Sequence, residues 1–130
     1  MGENQFLVDT DILIAYINRR AYRTYLENSR NRIYYSAVTK KELLSKRGLK
    51  ESERRAILTL LRRLRLIRID QRVSSEYSRL KLVYPSLERG DTLIAASALA
   101  RKLPLLTQNQ RHFRLVKGIV LLPILSRRPS

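Results

Sequence analysis

Residues 5–17 read QFLVDTDILIAYI. The first five, Gln5 to Asp9, form a short apolar run that predicts a strand ending in an acid. From Thr10 the periodicity changes, and Ile12, Leu13, Tyr16 and Ile17 recur at helical spacing. A strand that passes directly into an amphipathic helix opens an α/β unit. Aspartate is depleted in strands, so Asp9 at the junction calls for a reason beyond the fold.

The same alternation continues along the chain. RAYRTYLENS (20–29) predicts a second short helix, and the β-branched and aromatic RIYY (32–35) a strand. Ser36 offers an N-cap for AVTKKELLSKRG, with Gly48 as its stop. In 51–65 the residues Ala56, Ile57, Leu60, Leu61 and Leu64 share one face of a helix. LIRID (66–70) alternates like a strand, and 73–84 is helical up to Pro85. GDTLIAASALARKL (90–103) predicts an apolar helix capped by Asp91. PLLT (104–107) reads as a strand, NQRHFRLV as a helical turn and GIVLLP (118–123) as a last strand. The pattern predicts an α/β fold: a mostly parallel central sheet with helices on both faces. We expect one domain over 1–125 and a short basic tail over 126–130. In such folds the site lies at the carboxyl ends of the strands.

Composition narrows the chemistry. The 130 residues are 44% hydrophobic, enough for a core and against wholesale disorder. There is no cysteine, which excludes a disulfide framework, a thiolate zinc site and a cysteine nucleophile. A single histidine, His112, excludes a multi-histidine metal site. No G-x-G-x-x-G follows the first strand, which speaks against a dinucleotide enzyme. Lys and Arg number 27 against 11 Asp and Glu, a formal charge of +16. Such a chain repels itself and suits a polyanionic partner: nucleic acid first, an acidic protein second, an anionic membrane surface third. No apolar run approaches the ~20 residues of a membrane span, and no basic-then-apolar signal pattern opens the chain. We therefore expect a cytoplasmic protein with no membrane anchor.

Against that charge, the few acids fall in informative places. Asp9 and Asp11 follow the first strand, Glu42 sits on the helix after the second, and Asp91 starts the helix before the fourth. Carboxylates gathered at one sheet edge repel each other, so Arg, Lys or a divalent cation must hold them ionised. Oxygen-only ligation suits Mg²⁺ or Mn²⁺. A basic surface around a metal-loaded acidic pocket is what phosphodiester hydrolysis requires.

FLVDTDILIAYI, YYSAVTKKELL, GDTLIAASALA and LLTQNQRHF, in that order and spacing, resemble the PIN-domain ribonucleases, and among them the VapC-type toxins of toxin–antitoxin pairs. The four segments run from residue 6 to 113. The resemblance implies a Mg²⁺- or Mn²⁺-dependent endoribonuclease. Asp9, Glu42 and Asp91 match the family's three most characteristic acids and are expected to hold the metal, with Asn109 joining them as a neutral member of the catalytic set. Thr10, Asp11 and Thr107 are expected to support them. The resemblance further implies a homodimer, an acidic antitoxin partner and an RNA substrate. Where the family often carries a fourth acid, this chain supplies Thr107, Asn109 and His112, and no Asp or Glu follows Asp91. That departure argues for one metal ion in the free protein, with a second arriving only alongside a substrate phosphate.

Each residue also has a plainer reading. Asp9 can bond backbone at the strand end, Asp11 can serve the helix dipole, and Glu42 can pair with Lys46 one turn on. Asp91 can be only an N-cap, Asn109 only a turn residue, Thr107 only a strand-end hydroxyl. His112 reads as a surface or packing residue, with a proton shuttle as its functional alternative. Arg54, Arg55, Arg62, Arg63 and Arg65 read first as a solvated helix face. Tyr16, Tyr22 and Tyr25, interleaved with Arg19, Arg20 and Arg23, suit a dimer or partner interface, or base stacking. Two other functions compete with the ribonuclease. One is a non-catalytic RNA-binding protein on a degenerate scaffold; the other is a phospho-acceptor receiver domain using Asp70.

Overall fold

The computed structural model describes residues 4–124. The elements run β1 (Asn4–Val8), α1 (Thr10–Arg19), α2 (Arg23–Leu26), β2 (Asn31–Ser36), α3 (Ala37–Leu44) and α4 (Glu51–Arg62). There follow β3 (Arg65–Ile67), α5 (Gln71–Val83), α6 (Arg89–Arg101), β4 (Leu105–Leu106) and α7 (Gln110–Arg114). The four strands form one sheet in the order β3-β2-β1-β4, and every pairing is parallel.

Alternation along the strands builds two cores, one on each face. Phe6 and Val8 of β1, Ile33 and Tyr35 of β2 and Leu106 of β4 join residues from α1 to α4 on one face. Leu7 and Leu105 join α5, α6 and Phe113 of α7 on the other. Both faces are covered, as a parallel sheet requires. Helix α6 can press close to the sheet because Ala95, Ala96, Ser97 and Ala98 are small and buried. The chain passes from β1 to β2 and β3 on one side, then returns to place β4 on the other side of β1. Helix α1 leaves β1 toward one face while α7 follows β4 toward the other. That divergence opens a crevice at the carboxyl ends of β1 and β4, where a site belongs.

Several sequence expectations are corrected. Helix α3 stops at Leu44, where the Ser45 hydroxyl bonds back to the Lys41 carbonyl, and Gly48 serves the following loop at φ 76°. Ser36 occupies the N-cap without a side-chain cap bond, and its buried hydroxyl has no partner among the described residues. Helix α4 ends at Arg62, so Arg65 starts β3, and Ala56 is exposed rather than core. The expected second helix shrinks to four residues, flanked by Arg20 and Tyr22 at φ 59° and 64°. The expected last strand is reduced to one bridge, Leu105 to Leu121, because the two-residue β4 offers so little edge to pair with. The expected boundary at 125/126 and the basic tail lie outside the described residues.

Tyr16, Tyr22 and Tyr25 each make contacts within the fold. Tyr16 is buried and its hydroxyl donates to Glu27 at 2.6 Å, while Arg20 stacks over its ring at 4.9 Å and pairs with the same Glu27. Tyr25 packs edge-on to Phe6 and donates to the Pro123 carbonyl at 2.8 Å. Tyr22 accepts a 2.7 Å bond from the Gln108 side chain.

Candidate functional site

The register of β1 with β4 pairs Val8 with Leu106, so the next residues, Asp9 and Thr107, end the two strands side by side. The Asp9 amide donates to the Leu106 carbonyl at 2.9 Å. The Thr107 hydroxyl donates to Asp9 Oδ2 at 2.7 Å, and the Thr10 amide donates to Asp9 Oδ1, also at 2.7 Å. Asp9 is thereby fixed, and it is 6% exposed. Asp11, in the first turn of α1, accepts from the Gln108 amide at 3.1 Å through Oδ2, while its buried Oδ1 has no partner among the described residues.

Glu42 comes to the same place from α3. Its Oε1 accepts a 2.6 Å bond from the Thr10 hydroxyl, and Lys46, the expected one-turn partner, pairs instead with Glu53 at 3.6 Å. The other oxygen lies against α6, since a Cβ added at Gly90 would stand 3.2 Å from Oε2. Asp91 is not the N-cap of α6. The helix begins two residues earlier behind Glu88, which leaves Asp91 in the first turn with its carboxylate free of capping. His112 Nδ1 lies 3.5 Å from Asp91 Oδ2. Asn109 precedes α7, where its amide donates to the Thr107 hydroxyl at 3.0 Å and its side chain makes no cap bond.

Asp9, Asp11, Glu42, Asp91, Thr10 and Asn109 line one cleft of about 370 Å³, and among the described residues no Lys or Arg lines it. Four of the chain's 11 acids thus face each other in a protein that carries 27 cationic side chains. The electrostatic strain is visible in their proton affinities. Burial first, then the charge of Asp11, pushes the Asp9 carboxyl from 3.8 up to about 7, against the lowering effect of its two hydrogen bonds. Burial also raises Asp11, opposed by the Gln108 amide. Burial raises Asp91 too, with Glu88 and Glu42 adding to it and His112 opposing.

This donor set suits a hard divalent cation: the lining acids offer oxygen ligands, no Lys or Arg among the described residues lines the cleft, and one buried carboxylate oxygen has no partner among them. Among the described residues, no three acidic or histidine side chains stand in closed metal-holding geometry. Thr10, Thr107 and Gln108 hold the acids at their own stations, and mutual repulsion gives them no reason to close further.

Two positioning residues escaped the sequence reading. Thr39 bonds the Thr10 hydroxyl at 2.9 Å, and Gln108 ties Asp11 to Tyr22. The spacing of Thr39 three residues before Glu42, on one helix face, was the available signal for the first. Asp70, the acceptor of the receiver reading, lies elsewhere: it follows β3 at the sheet edge, caps α5 through Val73 and faces Arg101 at 3.6 Å.

The description PIN domain fits residues 6–118 of this chain. The chain is 30% identical over 120 residues to ribonuclease VapC1 of Methanocaldococcus jannaschii, covering 88% of this chain and 83% of that protein. A toxin–antitoxin complex from Klebsiella pneumoniae contains a chain 28% identical to this one, with a TM-score of 0.74 over 88% of this chain and 95% of that one. The fold is also that of a chain in VapBC2 from Rickettsia felis bound to a promoter DNA fragment, with a TM-score of 0.79 at 24% identity over 91% of this chain and 97% of that one. No helix among the described residues is long and apolar enough to cross a membrane. The order of elements, the acids at the β1–β4 crevice and these likenesses agree: the chain belongs to the PIN-domain family.

Proposed function

We propose that this protein is a divalent-metal-dependent endoribonuclease and the toxin of a toxin–antitoxin pair, acting in the cytoplasm. The observation that carries this reading is the acidic cleft itself, four carboxylates with no Lys or Arg among the described lining residues, inside a strongly cationic chain. Asp9, Asp91 and Glu42 would hold Mg²⁺ or Mn²⁺, with Asn109 as a neutral oxygen donor or water holder. A bound ion of this kind polarises the phosphate and makes water a stronger nucleophile. The protein's own part is positional. Thr107 fixes Asp9, the Gln108 amide fixes Asp11, and exposed arginines on neighbouring elements take the RNA backbone. Asp91 is half-buried and free of capping, so its carboxylate has room to turn toward an ion.

The partner calls follow from charge and surface. The excess of +16 suits an acidic antitoxin. An apolar groove of about 630 Å³ between α1, α3 and α4, with Ile14 and Ile17 exposed along it, would take an apolar stretch of that partner. We further propose a homodimer; Leu82, Leu115 and Val120, 85%, 75% and 61% exposed, are apolar surface available to a second copy. A second reading, RNA binding without cleavage, is favoured by one observation: His112 stands beside Asp91 in the segment where a fourth acid is often found.

The deciding experiment is RNA cleavage in Mg²⁺, in Mn²⁺ and in chelator, with Asp9→Asn beside the wild type. Metal-dependent cleavage lost in Asp9→Asn is the expected result. RNA binding with no cleavage in either metal selects the second reading.

A further inference from the structure

We propose that Thr39 and Thr10 form a two-hydroxyl relay that positions Glu42, and that Thr39 acts on the site only through Thr10. Proton accounting carries the argument. Thr10 has one hydroxyl proton, and it goes to Glu42 Oε1 at 2.6 Å. The contact between the Thr39 and Thr10 hydroxyls at 2.9 Å then has one direction: Thr39 donates and Thr10 accepts. Thr39 is fully buried, so its proton has no water to serve. It also does not take the usual course of a buried helical threonine, which bonds a carbonyl one turn back. The donated bond sets the rotor of the Thr10 hydroxyl and polarises it toward the carboxylate.

The relay has a structural purpose that no single bond provides. The Thr10 amide holds Asp9 Oδ1 at 2.7 Å while its hydroxyl holds Glu42, so one residue sets the distance between acids from β1 and α3. Glu42 is exposed, and a long exposed side chain has many rotamers to lose. The relay selects one of them, with Oε2 close to Gly90, where an added Cβ would stand 3.2 Å away. Thr39 and Glu42 lie three residues apart on α3, so the helix that carries the acid also carries the donor that aims it. The effect on catalysis rests on the ribonuclease reading above; the effect on Glu42 does not.

The test uses the full chain with Thr10→Val, Thr39→Val, the double valine variant, and Thr10→Ser and Thr39→Ser. Carbon-13 relaxation of the Glu42 carboxyl is measured without metal, and Mn²⁺ affinity and RNA cleavage are measured beside it. Thr10→Val should free the Glu42 carboxyl and cut cleavage about tenfold or more, as expected for a lost bond to a charged group. Thr39→Val should do the same to a lesser degree, about threefold, as for a neutral bond. Both serine variants should stay within about twofold of the wild type, because they keep the donors. The double variant should match Thr10→Val alone, because Thr39 has no other route to the site. If a valine variant melts early, alanine replaces it in the same comparison. An unchanged Glu42 carboxyl in Thr10→Val, or a Thr39→Val loss that adds fully to that of Thr10→Val, overturns the relay. A wild type that never cleaves RNA overturns the ribonuclease reading instead, and the relaxation data still decide the relay.

Discussion

Thr107 donates its only hydroxyl proton to Asp9 across 2.7 Å, joining the ends of two adjacent strands from residues 98 positions apart in the chain. The same hydroxyl lies 3.4 Å from Asp11 and accepts from the Asn109 amide, so one buried side chain ties together three residues of the acidic cleft. Thr107→Val should raise the Asp9 proton affinity further and weaken Mn²⁺ binding by about tenfold, the scale of a lost bond to a charged group. Thr107→Ser should preserve both. Calorimetric titration of Mn²⁺ into the three proteins checks this, and equal affinities would remove Thr107 from the site's support.

Asp9 makes stability depend on pH in a defined direction. Its folded value of about 7 lies above the ordinary 3.8, so the folded state binds the proton more tightly than the unfolded chain. That contribution is complete below about 3.8 and is lost as pH rises through about 7, on the order of a few kcal/mol. In chelator, the wild type should therefore lose stability relative to Asp9→Asn as pH rises from about 3.8 to about 7, with no further loss above, and Mn²⁺ should restore it most at the upper end. Melting curves of both proteins across that interval check the sign; a constant difference would contradict it.

Gly90 tests the packing of α6 against Glu42. It lies in the helix without a positive φ, so Gly90→Ala should gain up to about 1 kcal/mol of helix propensity. The new Cβ would stand 3.2 Å from Glu42 Oε2, and the flexible carboxylate is the group that yields. The expected outcome is a protein as stable as the wild type or more so, but with weaker cleavage. Paired melting and cleavage measurements separate the two effects, and unchanged cleavage would mean that the Glu42 position is not critical.

Asn109 lines the cleft with a neutral side chain. Asn109→Asp adds a charged oxygen and should tighten metal binding in the free protein, most visibly at low metal concentration. The wild type should titrate with one measurable site or none. Two tight sites in the wild type would show that Asp11 or another acid completes a second metal position.

The charge of +16 predicts RNA binding that weakens steeply with salt. On single strands the logarithm of affinity should fall against the logarithm of salt with a slope of about −0.7 per phosphate contact. Filter binding of Asp9→Asn, which should hold RNA without cutting it, gives the slope directly. A flat line would exclude a backbone-dominated interface.

Much of this molecule was legible in its sequence because the deciding signals are local. The change of period at Thr10, the β-branched run at 32–35 and the apolar helix beginning near residue 90 each depend on neighbours within one or two turns. They gave the order of strands and helices and set Asp9, Glu42, Asp91 and Asn109 at strand ends and helix starts, and the fold draws these four into one cleft. Short-range rules failed where long-range packing intervened. Asp91 has the composition of an N-cap, yet α6 starts earlier at Arg89. Tyr16 sits among arginines like a surface residue, yet it is buried in the core. Glu42 has Lys46 at salt-bridge spacing, yet Thr10, 32 positions away, holds it. The strand order β3-β2-β1-β4, the crevice between β1 and β4 and the Thr39–Thr10–Glu42 chain were decided only by tertiary structure. The physical reason is common to all: periodicity and capping are written in adjacent residues, whereas sheet order, burial and hydroxyl direction are set by contacts between segments that meet only after the chain has folded.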